Sequence, residues 1–341
     1  MTVTAPFPAA PPSATRARHP FLAFLIRRLL AGIAVLLVAS ALIFAAVQAL
    51  RGDVAASVLG RNATPESLAA LRADLRLDDP LPVRYLRWLT GVVRGDLGNS
   101  SVAVAQGDPH PAVWDAISGP LLNSAILAVT CVLLLVPLAL ALGALAAVHA
   151  GRPVDHAVSV VALVFGALPE FLVATVLVLV FFTGFGLLPP VSSIGPGQTP
   201  LDDPTALILP VLSLLLVTLS GATRMVRAGT ADVLRREYVT MARLNGIPER
   251  RVLWRYGVRN ALGPSVQVLA QAGLYLVGGV IVVENVFNYP GIGKELVQAV
   301  STRDVQVICD IALILAAVYV AVNIVADLVT VWLVPALRTE A

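Results

Sequence analysis

The feature that most constrains this chain is a run of 22 uncharged, mostly apolar residues at positions 29–50. An α-helix of about 20 apolar residues is long enough to cross the hydrocarbon core of a bilayer. Only 13% of the 341 residues are charged, whereas soluble domains carry about a quarter. The run follows Arg27 and Arg28 and is longer than the apolar core of a signal peptide. We therefore predict an all-α integral membrane protein that retains this first transmembrane helix.

Further apolar stretches of membrane length follow the first one. One of them contains Pro169 and Glu170, and proline disfavours an uninterrupted helix. Together with the first run they predict six transmembrane helices, with a large polar region, 51–116, after the first. The five later stretches cover 121–149, 157–187, 205–221, 264–283 and 306–334.

Basic residues indicate the orientation of these spans, because cytoplasmic loops carry an excess of Lys and Arg. With the tails 1–28 and 335–341 inside, the inner side carries fifteen basic residues and the outer side nine. Seven of those nine lie in the region 51–116, and long loops cross membranes largely regardless of charge. We expect a multi-pass protein of the cytoplasmic membrane with both termini in the cytoplasm and the region 51–116 outside.

Two helices are predicted within this extracytoplasmic region. Thr64 is a favoured N-cap residue and Pro65 suits the first helical position. The segment 81–98 mixes apolar, aromatic and basic residues, which is typical of a helix that lies at the membrane interface.

The segment 224–260 is the only long polar run in the second half of the chain, with nine basic and three acidic residues. Leu234, Tyr238 and Met241 are spaced i, i+4, i+7, which gives a helix one apolar face. Thr230 is predicted to cap this helix at its N-terminus.

Gly246 suits the left-handed position just past a helix end, and Pro248 prevents the helix from continuing. Pro248 is then expected to start a second, basic helix that ends at Gly263 and Pro264. The pattern alone allows two interpretations: a docking surface for another protein, or a pair of helices held on the membrane surface by anionic lipid.

A resemblance to a known family favours the interpretation of this segment as a docking surface for another protein. The segment reads E-Y-V-x-x-A-R-x-x-G over 237–246 and then R-x-x-L-x-R-x-x-x-R-N-A-L-x-P up to Pro264. It resembles the EAA loop of binding-protein-dependent ABC importers, in particular the B-type membrane subunit of the dipeptide/oligopeptide/nickel permease family. The likeness covers about residues 21–334 and includes R-G-D-L-G-N-S, L-P-E-F and G-G-x-I-V-V-E-N-V-F-x-Y-P-G-I-G in the family's order.

This resemblance implies the type I ABC importer permease fold, with the first helix at 29–50 and the ABC transmembrane type-1 domain at 117–334. It implies a second homologous permease subunit, two ABC ATPase subunits or domains, and an extracytoplasmic solute-binding protein as partners. The ATPases would use ATP and Mg, with no cofactor bound by this chain. Coupling to the ATPase is expected from Glu237, Tyr238, Ala242, Arg243 and Gly246.

The same resemblance implies import of di- or oligopeptides, with nickel or another small solute as the alternative. The chain departs from the family pattern at three places, which leaves the substrate and the fine coupling open. Met241 stands where Thr is usual, Arg51 where Pro is usual, and Val334-Pro335-Ala336 where Asp-Pro-Arg is common.

Polar residues within apolar spans usually have a role, because burying charge in hydrocarbon is costly. They suggest a translocation pathway, but the carboxylates Glu170, Asp310 and Asp327 also fit a structural polar pair or a position at headgroup level. The polar residues Gln267 and Gln271 also fit hydrogen bonds between helices. The pathway candidates are Pro169, Glu170, Gln267, Gln271 and Asp327.

Several other classes are disfavoured by the sequence. It contains no nucleotide-binding G-x-x-x-x-G-K-[ST], and we found no catalytic or metal-ligand spacing. Basic patches with interleaved aromatic residues are absent, which argues against nucleic acid as a partner. Cys131 and Cys309 lie in apolar spans and are expected to be buried thiols. A stand-alone ion-coupled carrier is disfavoured because the spans show no obvious internal repeat.

Overall fold

A computed structural model describes residues 20–49, 64–74, 76, 78–195 and 197–333. The predicted all-α class is confirmed: within these residues the only β-type pairing is one isolated bridge, between Asn99 and Ala112. Two π-helical turns interrupt the α-helices, at Leu179–Gly184 and Val252–Val258. The helices are α1 Pro20–Gln48, α2 Pro65–Asp74, α3 Leu81–Val93, α4 Ser101–Gln106, α5 Val113–Val148, α6 Pro153–Ala167, α7 Glu170–Val178, α8 Thr205–Leu234, α9 Glu237–Leu244, α10 Glu249–Arg251, α11 Arg259–Val286, α12 Ile292–Thr302 and α13 Val305–Leu333.

Each predicted span has a helical counterpart. Helices α1, α5, α8 and α13 are long and apolar enough to cross a membrane. The pair Pro153–Ala167 and Glu170–Gly184 is bent by 105° and makes a fifth candidate if it forms one span. The apolar part of α11, Gln271–Val286, is shorter. Four to five candidate spans are therefore present in the described residues, and the total of six stays a prediction.

Helix ends differ from the predicted boundaries because hydropathy does not detect a helix that continues beyond the membrane. Helix α1 already begins at Pro20, so Arg27 and Arg28 lie within it. Helix α8 continues to Leu234 and contains the first part of the segment 224–260. The prediction that Thr230 caps a new helix was wrong, because Thr230 is a buried residue inside α8.

The main core lies between α5, α7, α8 and α11. Leu135, Ala174, Leu214 and Leu276 are buried together in it. Close packing at one end depends on Gly143 of α5, where an added Cβ would lie 2.6 Å from a methyl group of Val226 on α8. Such small residues let membrane helices approach closely where no hydrophobic driving force exists between them.

Helices α1 and α13 form an antiparallel pair beside this core. Gly32 allows the close contact, because a Cβ there would lie 2.8 Å from Val320 Cγ1. A second cluster, which includes Phe44 of α1, joins this pair to α3, α5 and α12. Cys131 and Cys309 are free and buried, as predicted.

The segments that connect the long helices alternate between two ends of the bundle. At one, which we call the α12 end, Ile117 and Ile292 share a buried cluster, and Ser192 N–H donates to Phe287 O at 2.8 Å. We call the other end, with the turn 149–152 and the segment 235–248, the α9 end. Which of the two ends faces the cytoplasm stays a prediction.

The polar region at the α12 end contains both predicted helices. The Thr64 cap is confirmed, since Ser67 N–H donates to Thr64 Oγ1 at 3.1 Å. Helix α3 buries Trp88 and leaves Leu81 and Leu86 exposed, so it has the two faces expected of an interfacial helix.

Candidate functional site

Helix α9 is a short helix attached to the end of α8. Its inner face buries Val239 and Ala242 against Val252 of the following π-helical turn. Leu234, Ile247 and Tyr256 pack around these three side chains, and we refer to the whole group as the α9 cluster. The cluster is small, so α9 is held by only a few side chains.

Gly246 ends α9 in the geometry that the sequence predicts. Its φ is +73°, a left-handed conformation that favours glycine. Ile247 N–H donates to Ala242 O at 3.2 Å and Gly246 N–H to Arg243 O at 3.0 Å. These two bonds form a Schellman motif, and Ile247 also packs against the α9 cluster, to which Ala242 belongs. The turn after α9 is therefore fixed by backbone hydrogen bonds.

The outer face of α9 carries exposed apolar side chains. Tyr238, Met241 and Leu244 are all exposed. Two of them, Tyr238 and Met241, belong to the predicted apolar stripe, but its first member, Leu234, is the last residue of α8 and packs in the α9 cluster, so the stripe is divided between two helices. Glu237 is also exposed and lies in the first helical turn, where the helix dipole favours a carboxylate. The face is suited to contact with another surface.

An exposed ion pair braces the turn. Arg243 Nη2 lies 2.8 Å from Glu249 Oε1. The hydrogen bond from Arg243 lowers the pKa of Glu249, and the same bond raises the pKa of Arg243. The pair joins the end of α9 to the start of α10, so it supports the conformation around Gly246.

The second basic helix starts after Pro248 as predicted but does not end at Gly263 and Pro264. Instead the chain passes through the π-helical turn directly into α11. A proline removes one backbone hydrogen bond, and membrane helices tolerate this where neighbouring groups satisfy the freed carbonyl. Most of the segment 224–260 is therefore helical. Its first part is the end of α8, its last part leads through the π-helical turn into α11, and the connection between them, 235–248, contains α9.

The structure brings one group of pathway candidates together. Pro169 is the N-cap of α7 at the 105° bend, and Glu170 is the first residue of that helix. The Glu170 side chain lies against α11 near Tyr275, and an added Cβ at Gly279 of that helix would lie 3.5 Å from its Oε1. Gln271, one turn before Tyr275, is exposed. The side chain of Gln267 lies outside the described residues, so its predicted role is not addressed.

The remaining carboxylates in the spans have partners on other helices. Asp327 forms an ion pair with Arg28, which joins α13 to α1. Buried Asp310 accepts hydrogen bonds from Trp88 Nε1 at 2.7 Å and from Gln306 Nε2 at 3.1 Å. Both contacts agree with the alternative of a structural polar pair. The role of Asp327 in a pathway remains a prediction without support from its contacts.

Comparison with known proteins identifies the family. A family model described as "Binding-protein-dependent transport system inner membrane component" matches residues 139–339. The chain belongs to this family. A second model, described as "Binding-prot-dependent transport system membrane comp, N-term", matches residues 21–107. The chain is a permease of the binding-protein-dependent ABC type, and we refer to it below as the permease.

Relatives cover almost the whole permease. It is 33% identical over 315 residues to the "Glutathione transport system permease protein GsiC" of Salmonella paratyphi A, which covers 92% of the permease and 98% of that relative. It is 31% identical over 317 residues to the "Probable peptide ABC transporter permease protein y4tP" of Sinorhizobium fredii, with 92% and 99% covered. The permease is thus a multi-pass inner-membrane subunit of an ABC importer complex.

Glu284 is an important residue of the permease that sequence reasoning missed. Its side chain is fully buried and accepts hydrogen bonds from Ser124 Oγ, from Gly293 N–H at 2.7 Å and from Lys294 N–H at 3.3 Å. It therefore caps the N-terminus of α12, where unpaired N–H groups favour a carboxylate. A Cβ at Gly291 would collide with this carboxylate. The sequence signal available for this contact was the pair of glycines after Glu284, Gly291 and Gly293.

A second missed contact of the permease lies at the α9 end. Arg227 of α8 forms a two-pronged ion pair with buried Asp155 of α6, with Nη2 at 2.7 Å from Oδ2. Gly151 N–H also donates to Asp155, at 2.9 Å. The pair connects the turn 149–152 to the helix that carries α9. Among the described residues, no group of three or more His, Cys, Asp or Glu side chains is placed to hold a metal ion.

Proposed function

We propose that the permease forms half of the pathway of an ATP-driven peptide importer and receives its energy through α9. The observation that carries the proposal is the exposed apolar face of α9 above a turn fixed by Gly246. An amphipathic helix that inserts into a groove is a common way for proteins to recognise one another. The groove belongs to an ATPase subunit on the cytoplasmic side, which places the α9 end inside.

The five coupling residues have distinct parts in this proposal. Glu237 and Tyr238 contact the ATPase, and Ala242 anchors α9 from behind. Arg243 braces the turn through Glu249, and Gly246 sets its direction. The ATPases bind ATP and Mg, and their movement favours one of two permease conformations, as a ligand does when it binds two states differently.

The other partners follow from the same arrangement. A second, homologous permease completes the pathway, and a solute-binding protein delivers the substrate at the α12 end. Pro169, Glu170 and Gln271 are the best-placed residues to line the pathway, because the bend brings Glu170 to the Tyr275 face of α11. A carboxylate there is suited to the ammonium group of a passing peptide.

Short peptides are the substrate class that we favour. The two relatives are named for glutathione and for peptide, and glutathione is itself a tripeptide. Nickel or another small solute is the alternative, and a stand-alone ion-coupled carrier is a more distant one.

Reconstitution tests the substrate and the energy source. The permease is placed in liposomes with a second permease and ATPase subunits of the same transport system, and the solute-binding protein is added outside. We expect ATP-dependent uptake of labelled glutathione or di- and tripeptides. Uptake of Ni²⁺ and of none of these peptides would support nickel as the substrate instead. Uptake by the permease with no ATPase present would refute the ABC mechanism for this chain.

A glycine substitution tests the role of α9. In Gly246→Val the positive φ becomes strained by about 1–2 kcal/mol, although no atom lies within 4 Å of the added Cβ. We expect peptide uptake and co-purification of the ATPase to fall while membrane insertion is unchanged. Gly229→Val is the matched control, since this α8 glycine also has open space but no positive φ. Normal uptake by Gly246→Val would show that α9 does not transmit the energy.

A further inference from the structure

Two adjoining cavities lie at the α12 end of α1, where this helix meets α3. The first is a groove of about 370 Å³ between the two helices. It is lined by Ala41 and Ala45 of α1 and by Ala49 just past its end, which share one face and leave a trough because their side chains are small. On α3 it is lined by Leu81 and Tyr85. The groove has the shape and the apolar character to hold a hydrocarbon chain.

The second cavity, of about 270 Å³, is polar and shares Phe44 and Gln48 with the groove. The Gln48 amide nitrogen is buried and has no hydrogen-bond partner among the described residues. Arg84 also lines this cavity and makes no hydrogen bond or ion pair within the part of the chain that the structure describes. Partial burial lowers the pKa of Arg84, an effect that nearby Asp79 opposes. Two donors in the cavity thus lack an acceptor among the residues that the structure describes.

The other charged groups around the cavity are already engaged, with one exception. Arg87 is paired with Asp79, with Nη2 2.7 Å from Oδ2. The buried carboxylate of Asp310 accepts from Trp88 and Gln306. Asp96 lines the cavity and accepts from Gly98 N–H through Oδ1 at 2.9 Å, which leaves its second oxygen available. The cavity therefore offers one cation and one carboxylate oxygen to a ligand.

The two cavities lie at the depths of lipid acyl chains and lipid headgroups. The apolar span Leu22–Gln48 has 27 residues, which at 1.5 Å per residue extends about 40 Å. This length matches a bilayer with its headgroup layers, so Gln48 marks the headgroup level at the α12 end. Exposed Leu86 on α3 indicates that this helix also contacts lipid.

We propose that the groove and the polar cavity together bind one zwitterionic aminophospholipid from the leaflet at the α12 end. The acyl chain fills the groove between α1 and α3. The phosphate accepts hydrogen bonds from Arg84 and from the Gln48 amide, and the ammonium group donates to Asp96. Lipid is favoured over a peptide because the polar cavity continues into a mostly apolar groove, which suits an acyl chain better than a polar peptide backbone.

Native mass spectrometry of the purified full-length permease tests this site. The protein is incubated with phosphatidylethanolamine or phosphatidylglycerol of identical acyl chains, and retained lipid is counted. We expect about tenfold stronger retention of phosphatidylethanolamine, because a charge-assisted hydrogen bond has that effect on a dissociation constant. Arg84→Gln is expected to lower retention of both lipids about tenfold, and Asp96→Asn to remove the preference between them.

The controls make the outcome decisive. Arg94→Gln changes an exposed arginine just after α3 that does not line either cavity, and it should retain lipid as the wild type does. With the other three tryptophans replaced by Phe, Trp88 fluorescence reports whether α3 keeps its packing in each variant. Asp96→Asn preserves the acceptor for Gly98, so it remains informative if Arg84→Gln misfolds. Equal retention of the two lipids by the wild type, undiminished retention by a folded Arg84→Gln, or displacement of the lipid by a dipeptide would each overturn the proposal.

Discussion

The two ends of the permease attach their peripheral helices in opposite ways. At the α12 end, the carboxylate of Glu284 is fully buried and holds α12 through the backbone N–H groups of Gly293 and Lys294. At the α9 end, α9 rests on the buried side chains of Val239, Ala242 and Val252. The ion pair of Arg243 with Glu249, at the end of α9, is exposed.

This difference shows what each end can do mechanically. A buried carboxylate that satisfies several donors is costly to disrupt, because every lost bond leaves a buried polar group without a partner. A helix on a small apolar cluster can separate from the bundle at much lower cost. The α12 end is therefore built as a fixed part of the fold, whereas α9 keeps its outer face available for a partner.

The largest expected effect is that of Glu284→Ala. The change would leave Ser124 Oγ and the N–H groups of Gly293 and Lys294 without their acceptor, at about 1–3 kcal/mol for each. We expect the purified variant to melt well below the wild type and to accumulate poorly in membranes. The control is Glu295→Ala, which removes a partly buried carboxylate one turn into α12. Similar melting temperatures for the two variants would show that Glu284 does not fix α12 to the bundle, which would contradict the proposed difference between the two ends.

An intermediate effect is expected from Val239→Ala in the α9 cluster. Deleting two buried methyl groups costs about 1–2 kcal/mol, but α9 contributes little to the main core. We expect faster amide hydrogen exchange in α9 and almost no change in the melting temperature of the permease. Thr240→Ala is the control on the exposed side of the same helix. A melting temperature lowered as far as by Glu284→Ala would show that α9 is part of the fixed core.

The parts that the sequence predicted depend on local signals. The Gly246 turn followed by Pro248, the break at Pro169 and the cap at Thr64 are each encoded within a few residues, and each is present in the structure. The apolar runs likewise located the long helices. The end of α8 was mispredicted because polar residues can continue a helix beyond the bilayer, where hydropathy carries no signal.

The contacts that sequence reasoning missed join residues far apart in the chain. Glu284 and Ser124 are separated by 160 positions, and Trp88 and Asp310 by 222. No periodicity connects such pairs, since they meet only after the helices have packed. Among the candidate pathway residues, Glu170 was visible as a carboxylate beside a proline, but its neighbour Tyr275 was not.

The smallest expected effect concerns the exposed pair of Arg243 and Glu249, and it tests whether the turn after α9 depends on charge. Both side chains are largely exposed, so solvent screening limits the stabilisation that the pair contributes to about 0.5 kcal/mol or less. A double-mutant cycle of Arg243→Gln and Glu249→Gln, followed by hydrogen exchange in α9, measures the coupling. The pKa of Glu249 is lowered in the folded protein, so the pair stabilises the turn above the ordinary value of 4.5 and loses this contribution as the pH falls below it. Because Gly246 and its Schellman bonds hold the turn without any charge, α9 should remain folded when the pH is below the lowered pKa of Glu249. Loss of α9 protection at that pH would mean that the ion pair, and not the backbone, fixes the direction of α9.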